Sequence, residues 1–88
     1  MSYSLNQQTA QWRIVDGEAV IVNVESSYYY GLNRTGTMVW QLIADGVGEL
    51  DDIAAGLAKE YGIDIDRARD DARVVIQHLV AEELVTET

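Results

Sequence analysis

The chain has no cysteine and no proline. Without cysteine there is neither a disulfide staple nor a thiolate metal site, so the fold requires no oxidising compartment and no zinc. There is also no proline-marked or low-complexity linker and no internal repeat, so nothing divides the chain. No apolar run approaches the roughly 20 residues of a membrane span. Met1 to Gln11 is polar and lacks a basic-then-apolar signal pattern, which points to a cytoplasmic protein. Basic residues are scarce, 6 against 15 acidic, for a net charge of -9. A role held together by phosphate contacts is therefore disfavoured, since nucleic-acid affinity comes largely from Lys and Arg. His78 is the only histidine. It has no cysteine or second histidine with which to share a metal, and no nucleophile and orienting group can be placed beside it. The pairs Asp51-Asp52, Asp70-Asp71 and Glu82-Glu83 are adjacent on predicted helices, where neighbours point in different directions and cannot share a proton or a metal. No enzyme activity, cofactor or metal is expected.

What is present reads as one small domain. Residues 1–10 look like a flexible arm, and residues 11–86 carry the fold. Trp12 to Val15 reads as a short strand, and Asp16-Gly17 as a tight hairpin turn that needs positive φ. Glu18 to Glu25 is the second strand. Its Val20, Val22 and Val24 point one way and Ala19, Ile21 and Asn23 the other, as suits a central strand. Tyr28 to Leu32 is the third. Asn33 then reads as a helix N-cap. The first helix should run from Arg34 to Ala44 and stop at Gly46. The second should run from Leu50 to Tyr61 and stop at Gly62, with Gly48 standing in for Glu49 as its cap. The third should run from Asp64 or Asp66 to Leu84, burying Ala68, Ala72, Val75, Ile76 and Leu79. The fold class is α+β: a three-stranded antiparallel sheet followed by three helices, in a winged helix-turn-helix-like layout.

Two features fall outside a plain core pattern. Tyr28, Tyr29 and Tyr30 stand in succession on a strand whose only sequence neighbour is the second strand, so its other edge is unpaired. Tyr30 and Leu32 are expected to face the helices, Tyr28 to share that face, and Tyr29 to face away. On the third helix, Val74 lies about 200° from Ala72 at about 100° per residue. It is an apolar side chain that the core does not require. Arg67, Asp71 and His78 share its flank, so strand and helix could wall a groove.

The string Tyr30-Gly31-Leu32-Asn33, then Thr35-Gly36, Val39-Trp40-Gln41-Leu42-Ile43 and Asp45-Gly46, resembles the signature of the PqqD-like family. Leu50-Asp51-Asp52-Ile53-Ala54, Leu57 and Tyr61 resemble its second helix; Asp71-Ala72, Val75-Ile76, Leu79 and Leu84-Val85 resemble its third. The resemblance spans Ala19 to Val85. It implies a RiPP recognition element, which binds the leader of a ribosomally made, post-translationally modified precursor peptide. The leader would add as a strand to the edge of the third strand and pack on the third helix. The site residues so implied are Tyr28, Tyr29, Tyr30, Arg67, Asp71, Val74, Val75 and His78. The absence of proline, and Leu42-Ile43-Ala44 before Asp45-Gly46, depart from pyrroloquinoline quinone biosynthesis protein D. The chain looks more like the free-standing recognition proteins of lasso-peptide pathways, which imply a leader peptidase and a cyclase as partners. The alternatives are a peptide chaperone for a radical-SAM enzyme in quinone-cofactor synthesis and a winged-helix DNA-binding regulator. Six acidic against three basic residues between Asp64 and Leu84 weigh against DNA.

Overall fold

The computed structural model of the chain describes residues 2–88. Its elements are β1 (Tyr3–Leu5), β2 (Ala10–Val15), β3 (Glu18–Asn23), β4 (Tyr28–Gly31), α1 (Arg34–Ala44), α2 (Leu50–Tyr61), α3 (Ile65–Ala81) and β5 (Val85–Glu87). Strands β2, β3 and β4 form an antiparallel sheet in that order, and β1 pairs with β5 in a separate two-stranded ribbon. The α+β layout expected from the sequence, a three-stranded antiparallel sheet followed by three helices, is what the chain adopts.

Local chemistry explains each junction. Asp16 and Gly17 have φ of 52° and 82°, the left-handed pair whose twist matches that of the flanking strands. This turn sets Val15 opposite Glu18 and Trp12 opposite Ile21. Ala19, Ile21 and Asn23 are consequently buried, while Val20 and Val22 stay half-buried on the outer face. Asn33 caps α1, its side-chain oxygen accepting from the Gly36 N–H at 2.8 Å. Four residues on from that cap, Thr37 closes the end of the sheet. Its hydroxyl accepts from the Ala19 N–H at 2.8 Å and donates to the Leu32 carbonyl at 3.3 Å.

The core is a single cluster. Val39, Trp40 and Ile43 of α1 meet Ile53, Ala54 and Leu57 of α2 and Ala68, Ala72, Ile76 and Leu79 of α3, with Ile21 from the sheet and Leu84 and Val85 beyond α3. Trp12 packs edge-to-face on the buried Trp40, ring centroids 5.8 Å apart and planes at 82°, the geometry aromatic quadrupoles favour.

Four expectations need correction. Residues 3–5 are not a loose arm: they pair with β5 from Tyr3↔Glu87 to Leu5↔Val85, and the Ala10 end of the expected arm opens β2. Met1 of that arm lies outside the described residues. A three-residue strand is too short to show alternation, and its partner lies at the far end of the chain. Gly48 is not the α2 cap; Glu49 holds that position without a side-chain cap bond. Gly48 instead admits β1, since a Cβ there would sit 2.7 Å from the Tyr3 carbonyl, and that carbonyl's own residue bonds it through Tyr3 N–H to Gly48 O at 2.8 Å. Val75 is half-buried rather than part of the buried stripe. Finally, α3 stops at Ala81, not Leu84. Glu83 takes a left-handed φ of 60°, its N–H donating to Val80 O and that of Leu84 to Leu79 O, each at 3.0 Å. This is a Schellman stop with glutamate where glycine is usual, so the sequence carried no visible end signal. Glu82 is the C-cap and Glu83 lies in the turn, so this acidic pair is not on the helix. The helix itself carries Asp66, Asp70 and Asp71 against Arg67, Arg69 and Arg73; the acidic excess sits at its flanks.

Candidate functional site

Strand β4 is an edge, with β3 on one side and no described strand on the other. The Leu32 N–H donates to the Ala19 carbonyl at 2.9 Å, extending a ladder in which Tyr30 faces Ile21 and Tyr28 faces Asn23. Antiparallel ladders alternate, so Tyr28, Tyr30 and Leu32 turn their main-chain groups towards β3. Tyr29 and Gly31 turn theirs to the open side. Two N–H donors and two carbonyl acceptors are thus presented along the edge.

Beside this edge stands α3. A cleft of 280 Å³ separates them, lined by Tyr30, Gly31, Leu32, Asn33 and Gly36 on one side and Val74, Val75, His78 and Leu79 on the other. Its middle is apolar, through Leu32, Val75 and Leu79. Val74 is 68% exposed, an apolar side chain that the core leaves free beside the cleft. At one end the Tyr30 hydroxyl donates to Glu82 Oε2 at 2.6 Å. That bond to a carboxylate, with partial desolvation, pushes the Tyr30 hydroxyl up to about 12. The Asn23 side-chain amide also donates to the Glu82 carbonyl, at 3.2 Å. Together these bonds pin the start of β4 to the C-terminal end of α3 and fix the cleft's width there.

The sequence-predicted site residues divide into two groups. Tyr30, Val74, Val75 and His78 come together at this cleft. Asp71 and Arg67 lie on the same helix beyond it and face one another at 3.9 Å. Tyr28 and Tyr29 are 66% and 77% exposed and outside the cleft. Tyr29 faces away from the helices, as expected, into a second hollow of 270 Å³ with Gln11, Trp12, Arg13, Val20 and Val22. Sequence reasoning missed Gly31, Asn33, Gly36 and Glu82. Asn33 was read only as a helix cap and Gly31 and Gly36 only as parts of the family string, and the distance in sequence from Tyr30 to Glu82 left no signal at all. The opposite flank of α3 is occupied by structure. Arg69 bonds Asp51 of α2 and Asp66, both at 2.9 Å, and these bonds raise its pKa. Arg73 bonds Asp70 at 3.2 Å.

Among the described residues, no three His, Asp or Glu side chains cluster as a metal site, and no helix is long and apolar enough to cross a membrane. The fold and cleft define a class: a small winged-helix-like domain whose edge strand and last helix form an open, apolar-floored channel with free main-chain groups along one wall.

The profile of the family described as coenzyme PQQ synthesis protein D (PqqD) matches residues 18–85. The chain belongs to that family. None of the curated proteins compared with it matches significantly. Two solved structures share its fold. One is described as TbiB1 in complex with the TbiA(beta) leader peptide, with a TM-score of 0.87 and 22% identity over 97% of this chain and 96% of that one. The other is a lasso peptide synthetase B1 complexed with the leader peptide, with a TM-score of 0.84 and 22% identity over 97% and 98% of the two chains.

Proposed function

We propose that this chain is a non-catalytic recognition protein for the leader of a ribosomally made precursor peptide, of the lasso class. The leader adds to the sheet as a strand antiparallel to β4. The observation that carries this reading is the cleft itself. Main-chain groups of Tyr29 and Gly31 lie open along a wall faced, across an apolar floor, by Val74, Val75 and His78. An extended peptide laid there gains main-chain hydrogen bonds from the edge and places alternate side chains against α3, which is how strand addition combines affinity with specificity. Both fold neighbours are described as complexes with a leader peptide, which supports the same reading for this member of the family. The lasso class is favoured over quinone-cofactor synthesis by those same neighbours.

Nothing in this mechanism requires a bond to be made or broken by the protein. Holding a precursor beside a leader peptidase and a cyclase in the cytoplasm raises its effective concentration at both enzymes. Tyr28, Tyr29, Arg67 and Asp71 serve in this reading as the outer contacts. Tyr28, Arg67 and Asp71 lie along the strand and helix past the two ends of the apolar floor, where a bound strand would leave the cleft, and the Tyr29 ring, on the other face of the sheet, meets the alternate side chains of that strand.

The test is a titration of a synthetic leader peptide of a lasso-class precursor, followed by amide exchange and run with a chelator present. Protection should rise at Tyr29 and Gly31, with affinity indifferent to the chelator. Binding without protection along β4, or binding that collapses with the chelator, would sink the reading.

A further inference from the structure

The cleft has an apolar middle but an uncompensated charge at one end. Glu82 is half-buried at the C-cap of α3. Its side chain bonds a neutral partner, the Tyr30 hydroxyl, and one hydroxyl satisfies only part of a carboxylate's acceptor capacity. The three arginines of α3 all lie towards its other end, Arg67 with Asp71, Arg69 with Asp51 and Asp66, and Arg73 with Asp70. The last turn of a helix also carries partial negative charge. Glu83 adds another carboxylate immediately after the C-cap. A chain of net charge -9 supplies no distant compensation. The one basic side chain in the last turn of α3 is His78, four residues back, and it forms no salt bridge with Glu82. Among the described residues Glu82 is therefore an anion without a permanently charged partner, at the end of the cleft that a bound strand would leave.

We infer that Glu82 selects a cationic side chain, Lys or Arg, on the peptide that occupies the cleft. This rests on the strand-addition reading above and narrows its ligand. The position of that cation follows from geometry. Asn23 lies opposite Tyr28 and donates to the Glu82 carbonyl, so the start of β4 lies at the C-terminal end of α3. A strand antiparallel to β4 runs its own C-terminal end towards Glu82. From Val75, on the apolar floor, to Glu82 is about 10 Å along the helix at 1.5 Å per residue. A strand covers that distance in about three residues, and side chains facing α3 recur every second residue. The cation belongs about two to four residues C-terminal to the apolar side chain that fills the floor. Its salt bridge is partly shielded from solvent and bonded to an ion already oriented by Tyr30, which favours it over a free surface pair.

The test uses a synthetic lasso-class leader peptide that the wild-type protein binds, as it stands and with each Lys or Arg replaced by Gln in turn, against the wild-type protein and Glu82→Gln. Glutamine keeps an acceptor for Tyr30 but removes the charge. One Lys or Arg replacement, at the position given above, should weaken binding to the wild type about tenfold at low salt and leave binding to Glu82→Gln unchanged. Glu82→Gln should lose the same factor for the intact leader, with a flatter salt dependence. Tyr30→Phe, which leaves the Glu82 charge in place, should keep the discrimination even where overall affinity falls, separating charge selection from a purely structural clasp. A leader with no Lys or Arg at that position, or one bound equally by wild type and Glu82→Gln, overturns the inference while leaving strand addition standing. Failure of every such leader to bind overturns both.

Discussion

The sheet has two open edges, and only one of them has a wall. On β4, Tyr29 and Gly31 turn their main-chain groups outward beside α3, across an apolar cleft. On β2, the Val24 N–H bond to Thr9 O at 2.8 Å sets the opposite parity, so Trp12 and Ile14 turn theirs outward, while the Ala10 N–H is taken by Asn6 O at 2.9 Å. That edge is longer, six residues against four, and apolar, with Trp12 and Ile14 38% and 40% exposed. Strand propensity and hydrophobicity alone would nominate β2. It differs in what lies beside it. The ring of Trp12 packs down on Trp40, and among the described residues the hollow beside it is lined by sheet residues alone. An edge supplies hydrogen bonds that are nearly blind to sequence; the helix alongside supplies side chains that can discriminate.

Proline gives the sharpest way to break this comparison. Gly31→Pro removes an outward N–H while leaving the ladder to β3 intact, as an edge position allows. Leader binding should fall about a hundredfold, or about 2.8 kcal/mol, because one peptide carbonyl loses its partner and the ring blocks the approach. Ile14→Pro on the other edge should leave affinity within about twofold of the wild type. Equal losses in the two variants, measured by titration with circular dichroism as the folding control, would abolish the distinction.

Val74→Asp tests the wall rather than the edge. Because Val74 is exposed in the free protein, the melting temperature should hardly move. Binding should weaken about tenfold, about 1.4 kcal/mol. Arg73→Ala on the opposite flank serves as the control. A loss confined to Arg73→Ala would mean that the helix presents its other side.

Two smaller effects concern the clasp between β4 and α3. Tyr30 is held neutral by Glu82, its pKa raised to about 12. A raised pKa contributes stability that is fully present below the unfolded value near 10 and is lost as pH rises through the folded value. Absorbance titration should therefore show one tyrosine ionising near pH 12, absent in Tyr30→Phe, and the stability difference between the two proteins should shrink across pH 10 to 12. The smallest effect is at Glu83, where the left-handed φ of 60° disfavours any residue with a Cβ. Glu83→Gly should stabilise the fold by roughly 0.5–1 kcal/mol in chemical denaturation.

Much of the fold was written in short-range signals. Asp16-Gly17 specified a hairpin, Asn33 a cap, Gly46 and Gly62 two helix ends, and the spacing of Ala68, Ala72, Ile76 and Leu79 a buried stripe. Each depends on residues within a turn or two of one another, so the order of strands and helices and the exposure of Val74 were legible without a structure. The third helix end was not, because Glu83 does what glycine usually does. Nor was β1, whose three residues pair with the opposite end of the chain.

The site shows the same division. Alternation along residues 28–32 and the helical period along residues 67–78 determined which side chains could face a groove. Which of them do was decided by tertiary packing. Tyr30 and Val74 reach the cleft, Tyr28 and Tyr29 do not, and Asp71 turns to Arg67 beyond its end. The bond from Tyr30 to Glu82 that closes one end of the cleft joins residues far apart in the chain. No local pattern encodes such a contact. It exists because the hydrophobic core docks α3 against the sheet at one particular offset, and that offset is a property of the packed whole.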